Sequence, residues 1–164
     1  MRALISIAIC LVGCASGSAV APRTATLPAV ALTRSDGRAE SLQEALAALA
    51  GSVTVIDLWA TWCTACEQER PKLERLSAAY AARGLRVIGL NVGESASVVN
   101  AYLGENRVSY PVYLDPDFRL ADALGEKRLP TILVVEPNGR IVHRSPSLNA
   151  ETLALIKSKL SLAQ

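Results

Sequence analysis

Val53-Thr-Val-Ile-Asp-Leu-Trp-Ala-Thr-Trp-Cys-Thr-Ala-Cys66 joins a β-branched, nearly all-apolar run to a Cys-x-x-Cys pair. The run to Trp59 reads as a strand covered on both faces, because a strand with one wet face would alternate polar and apolar residues. A helical pattern starts at Cys63 and continues to about Ala82, with Leu73, Leu76 and Tyr80 on one stripe and Gly84 placed to end it. Pro71 lies inside that pattern and is expected to bend the helix, since proline interrupts the hydrogen-bond ladder. A buried strand running into a helix puts Cys63 at or near the N-cap and Cys66 one turn further in. The unpaired N–H groups and the positive end of the helix dipole stabilise a thiolate there. Only a thiolate attacks a disulfide at useful rates. The three-residue offset lets Cys66 reach the Cys63 sulfur with the helix intact.

Outward from this segment, strands and helices alternate. Upstream, Val30 to Thr33 and Arg38 to Glu40 flank an Asp36-Gly37 turn, a short hairpin. Ser41-Leu-Gln-Glu44 is a capping box opening a helix to about Ala50, which Gly51 stops. Downstream, Leu85 to Val92 is a second buried strand. Ser95 to Glu105 is a helix with Val98, Tyr102 and Val99 expected inward. Tyr110 to Leu114 is a short strand, and Phe118 to Leu124 a short helix. Thr131 to Val135 and Ile141 to His143 flank Pro137-Asn138-Gly139, a strong hairpin signal. Asn149 is positioned to cap a last helix running to about Leu160. The resulting order, β-β-α-β-α-β-α-β-α-β-β-α, predicts an α/β protein: a three-layer α/β/α sandwich on a mixed sheet. Its central strands are parallel and its C-terminal hairpin is antiparallel.

The chain has 164 residues and a formal net charge of +2. That length suits one domain with a real core. The near-neutral balance gives no reason to expect nucleic acid as a partner. Met1-Arg2 followed by the eleven apolar residues Ala3 to Gly13 reads as a signal peptide. A membrane span needs about 20 apolar residues, so this run is too short to be one. The run closes in Leu11-Val12-Gly13-Cys14, which resembles the bacterial lipobox, with Cys14 the lipidated residue. Cleavage after Ala19 is the alternative. Residues 1–13 are thus expected to be the signal peptide and 14–27 the lipidated cysteine with a flexible tether, leaving 28–164 as the domain. Either reading of the leader places the domain outside the cytoplasm, anchored to the membrane in the first case. Ala15, where an inner-membrane retention Asp would sit, tips the expectation toward an outer membrane.

Four cysteines, Cys10, Cys14, Cys63 and Cys66, leave a single pair in the domain. A zinc site wants four ligands, and only His143 is left to join the pair. Haem attachment needs His directly after the second cysteine, where Glu67 stands. A permanent structural disulfide across a tight loop is the third competitor. A local redox pair is the favoured reading, with no metal.

The same residues resemble those of a known family. Val55 to Cys66 is similar to the thioredoxin active-site segment, and Trp59-Ala-Thr-Trp-Cys63 is closest to the TlpA/ResA-like extracytoplasmic thiol–disulfide oxidoreductases. Glu67-Gln-Glu-Arg-Pro71, Val87 to Ser95, Tyr110 to Asp115, Leu129-Pro-Thr131 and Glu136 to Arg140 resemble further stretches of that family, so the likeness covers residues 28 to 160. It implies a thioredoxin-like fold. It also implies that Asp57 moves protons to and from Cys66, that Glu69 tunes the cysteines, and that Pro130 is cis. The Leu129 backbone would pair with an extended substrate, beside Trp62, Thr64 and Ala65. The family usually carries Pro between the cysteines; Thr64-Ala65 departs from that, and the dipeptide influences the reduction potential.

Two residues carry plain alternatives: the Asp57 side chain could escape to solvent, and Glu69 could be a solvated helix-face carboxylate. Glu94 is read as starting the next helix. Trp59 is expected in the core, Trp62 on the exposed rim, and His143 in a structural role. The activity implied is disulfide reduction on extracytoplasmic protein thiols and disulfides. It needs no cofactor, and a membrane electron donor of thiol-transfer type would recharge the pair. Cytochrome c cysteines are among the family's substrates. An oxidant or isomerase using the same pair, and a metal-delivery module using it as soft ligands, are the rivals. A peroxidase is disfavoured, because the residues before Cys63 and Cys66 do not fit the peroxidatic pattern.

Overall fold

The computed structural model describes residues 25–48 and 53–162. The leader, Cys14, most of the tether and the Gly51 stop lie outside the described residues. The chain runs β1 (Ala31–Arg34), β2 (Ala39–Ser41), α1 (Leu42–Ala48), β3 (Val53–Trp59), α2 (Thr64–Tyr80) and β4 (Leu85–Val92). It continues through α3 (Ala96–Glu105), β5 (Val112–Asp115), α4 (Arg119–Leu124), β6 (Thr131–Val135), β7 (Ile141–Ser145) and α5 (Ala150–Leu162). A 3-10 turn, Ala81–Arg83, and left-handed Gly84 end α2 as the spacing predicts. The helix runs unbroken through Pro71.

The seven strands form one mixed sheet in the order β2-β1-β5-β4-β3-β6-β7. β3, β4 and β5 are parallel, and β6 and β7 add antiparallel on one side. The N-terminal hairpin closes the other side by pairing β1 antiparallel to β5. Side-chain alternation then sorts the core into two halves. Ile56 and Leu58 of β3 pack with Leu42 and Leu46 of α1 and Leu120 and Leu124 of α4. Val53 and Val55 pack with Leu73 and Leu76 of α2 and Ile156 and Leu160 of α5. This is the thioredoxin-like α/β/α sandwich, with β3 at its centre and buried along its whole length.

Two details differ from the sequence expectation. In α3 only Val99 is buried; Val98 is 47% exposed. Adjacent helix positions point about 100° apart, so with Val99 against the sheet its neighbour turns outward. Residues 25–27, read as the end of the tether, lie against the domain. Ile141 N–H donates to the Ala25 carbonyl at 2.7 Å, Leu27 N–H donates to the Gly139 carbonyl at 2.9 Å, and the Leu27 side chain is buried in the core.

Candidate active site

The strand alternation that sends Val53 and Val55 toward α2 also sends Asp57 and Trp59 there. Asp57 is 3% exposed, and its Oδ1 has no hydrogen-bond partner. It therefore does not escape to solvent. A carboxylate in that setting loses its hydration and gains nothing in return. Burial, and after it the negative charge of Glu69, push its pKa from 3.8 up to about 8. Gly89 of β4 lies beside it in register. A side chain at Gly89 would press on the Trp59 Nε1 at 3.1 Å and on Val112 and Tyr110 beyond. The glycine thus lets these rings lie across the strand.

Cys63 caps α2. Its backbone is extended, and its sulfur accepts from the Cys66 N–H at 3.2 Å. The two cysteines are joined as a disulfide. Cys63 is 6% and Cys66 4% exposed, while Thr64 and Ala65 between them face solvent. Cys66 and Asp57 line one narrow cavity of about 20 Å³ with Trp59, Arg70, Tyr102 and Tyr110, room for about one water. Burial, and then the Asp57 charge, push the Tyr110 phenol upward, so it stays neutral. Arg70 stands over the Tyr102 ring, donates to its hydroxyl and reaches Asn106 at 3.3 Å, tying α2 to α3.

Glu69 is not a solvated surface carboxylate. It is 4% exposed, accepts the Leu148 N–H at 2.8 Å and pairs with Lys72 at 2.7 Å. It anchors the segment between β7 and α5 to α2, and its charge is felt at Asp57. The Leu129–Pro130 bond is cis. Pro130 is buried, and Leu129 packs against the cluster that holds both cysteines. The Thr131 hydroxyl donates to the Arg128 carbonyl at 2.8 Å, closing this loop. Trp59 is buried and Trp62 is 71% exposed. His143 Nε2 meets the Thr152 hydroxyl at 3.1 Å, and Asn149 caps α5 by accepting the Thr152 N–H at 2.9 Å.

Glu94 does not begin α3, which starts at Ala96 with Ser95 as its N-cap; it holds the loop before Cys63 instead. Its carboxylate accepts the Thr61 N–H at 2.7 Å, the Thr61 hydroxyl at 2.5 Å and the Asn91 amide at 2.7 Å. The loop leading to Cys63 is thereby fastened to the end of β4. Among the described residues there is no group of three or more His, Cys, Asp or Glu placed to hold a metal ion.

A disulfide capping a helix, above a buried carboxylate and next to a cis-proline loop, is a thiol-exchange constellation on a thioredoxin-like sheet. The chain belongs to the Redoxin family, which it matches over residues 22–155. It is 32% identical over 97 residues to the thiol-disulfide oxidoreductase ResA of Bacillus subtilis, covering 59% of this chain and 54% of that protein. To the ResA of Halalkalibacterium halodurans it is 31% identical, covering 70% of this chain and 64% of that protein. The chain thus spans between about half and two thirds of these relatives. A thiol:disulfide interchange protein of the thioredoxin family from Chlorobium tepidum superposes with a TM-score of 0.67 at 25% identity, over 87% of this chain and 99% of that one.

Proposed function

We propose that this chain is an extracytoplasmic thiol–disulfide oxidoreductase that reduces protein disulfides through Cys63 and Cys66. The observation that carries the reading is the Cys63–Cys66 disulfide at the N-terminus of α2, with Asp57 buried on the same small cavity as Cys66. In the dithiol form the Cys63 thiolate attacks one sulfur of a substrate disulfide. The substrate S–S bond breaks, a mixed disulfide forms, and the departing substrate sulfur takes a proton. Asp57, as carboxylate, accepts the Cys66 proton. The Cys66 thiolate then attacks the Cys63 sulfur, closes the internal disulfide and expels the second substrate sulfur as a thiol. Two electrons and two protons pass to the substrate. An acid with its pKa near 8 is suited to this, because both its forms are populated around neutral pH.

Leu129 and Pro130 would hold an extended substrate strand, with Trp62, Thr64 and Ala65 forming the rest of the contact surface. Glu69 would tune the pair through Asp57. The leader and Cys14 support a lipid-anchored protein on the periplasmic side, recharged by a membrane thiol-transfer donor. No helix among the described residues is long and apolar enough to cross a membrane.

The test is the reduction potential of the Cys63/Cys66 couple, from thiol counts at fixed dithiothreitol ratios. A value near about −270 mV supports a reductase, and one near about −120 mV would make the protein an oxidant. Cys63→Ser should abolish exchange altogether.

A further inference from the structure

Among the described residues the exposed large hydrophobic side chains are Trp62, Val98, Phe118 and Leu162. Three of these four belong to segments that meet at one turn, Gly93-Glu94 after β4. Trp62 follows Thr61, which Glu94 holds by two hydrogen bonds. Val98 lies in the first turn of α3, directly after this turn. Phe118 lies over Gly93 so closely that a Cβ at 93 would be 2.3 Å from the ring.

Phe118 is the unusual member. Its φ is +57°, the left-handed region that a bulky side chain rarely adopts, and it is the one non-glycine residue with positive φ among the described residues. The surroundings fix it there. Phe118 N–H donates to the Asp115 carbonyl at 3.3 Å, and the Phe118 carbonyl accepts from Asp122 N–H at 2.8 Å. The Asp115 carboxylate caps α4 through the Leu120 and Ala121 N–H groups at 3.0 and 2.9 Å. Glycine would take this backbone freely. The chain instead places there an aromatic ring that stays 49% exposed.

We infer that Val98 and Phe118 extend the rim begun by Trp62 into a docking surface for apolar side chains beside the disulfide of a protein substrate. The occupant follows from continuity with the cysteine pair. Cys63 is only 6% exposed, so a substrate disulfide must be pressed closely onto the site to be attacked. A segment so placed meets the exposed residues around it, and burying them is favourable. The inference rests on the oxidoreductase reading, and names its substrate class: disulfides flanked by aliphatic or aromatic residues.

The test uses the full chain, reduced beforehand, in single turnovers with two synthetic peptides of equal charge. Each peptide is closed by one disulfide; Leu and Phe flank it in one, Ser and Gly in the other. The enzyme dithiol supplies both electrons and both protons, so no further reductant is needed. Wild type should reduce the apolar peptide about tenfold faster per unit concentration. Phe118→Gly should lose most of that preference through a higher half-saturating concentration, not a lower limiting rate, with a melting temperature no lower than wild type. Val98→Ser should lose part of it. Equal rates on both peptides in wild type, or a preference that survives in the Phe118→Gly, Val98→Ser double variant, would overturn the docking surface. Reduction of neither peptide overturns the oxidoreductase reading and the docking surface with it. Equal peptide rates together with binding to anionic phospholipid vesicles that Phe118→Gly abolishes would overturn it in favour of a lipid contact.

Discussion

Replacing Asp57 with Asn keeps the shape of the side chain and removes its ionisation. In the fold the carboxyl is pushed up to about 8, against 3.8 for the free group. Between those values the folded protein keeps a proton that the unfolded chain has lost, so stability falls as pH rises through the window. The slope is about 1.4 kcal/mol per pH unit, and the whole loss amounts to about 6 kcal/mol above pH 8. The Asp57→Asn variant has no such slope. Its stability relative to wild type should therefore rise by about 4 kcal/mol between pH 4 and pH 7, and further by pH 8.5. The buried amide, lacking a partner, costs a constant amount of about 1–3 kcal/mol, so the slope carries the test and the offset does not. The assay is urea unfolding of the oxidised full chain at pH 4, 5.5, 7 and 8.5, followed by tryptophan fluorescence. A difference between the two proteins that stays constant across these pH values refutes the assignment of Asp57 as a buried acid. The same variant should slow closure of the Cys63–Cys66 disulfide about a hundredfold or more at pH 7, read by stopped-flow fluorescence.

Glu69→Gln removes the charge that adds to burial in raising Asp57. The midpoint of the pH dependence should move below about 8, and an unchanged midpoint would exclude Glu69 from the tuning. Glu94→Gln places an amide among three donors, Thr61 N–H, Thr61 O–H and the Asn91 amide. It should cost about 1.5–3 kcal/mol in urea unfolding. Gly93→Ala meets both a φ of +79° and the Phe118 ring. A loss of about 2–4 kcal/mol is expected, of which Phe118→Gly should restore a part in a double-mutant cycle. Simple additivity would show that the ring and the glycine do not interact.

The central strand, the helix after it and the place of Cys63 at the helix start were all legible locally. A continuous apolar run, a three-residue spacing and an Asn-Gly turn act through neighbouring φ, ψ and side-chain period, which a short window contains. The burial of Asp57 was half legible, since a carboxylate inside such a strand has few ways out. Its orphaned Oδ1 and its coupling to Glu69 needed the packed layers, because a charge state depends on everything that displaces water around it. The Glu69 to Leu148 bond spans 79 positions and the Thr61 to Glu94 bond 33. Local pattern carries no trace of such pairs; sheet order brings them together. The same holds for Phe118. Nothing in its local sequence keeps this ring half exposed; the Asp115 cap and the close approach of Gly93 do. Local order thus follows from covalent periodicity, whereas the electrostatics and the rim of the site follow from which distant groups the folded layers force into contact.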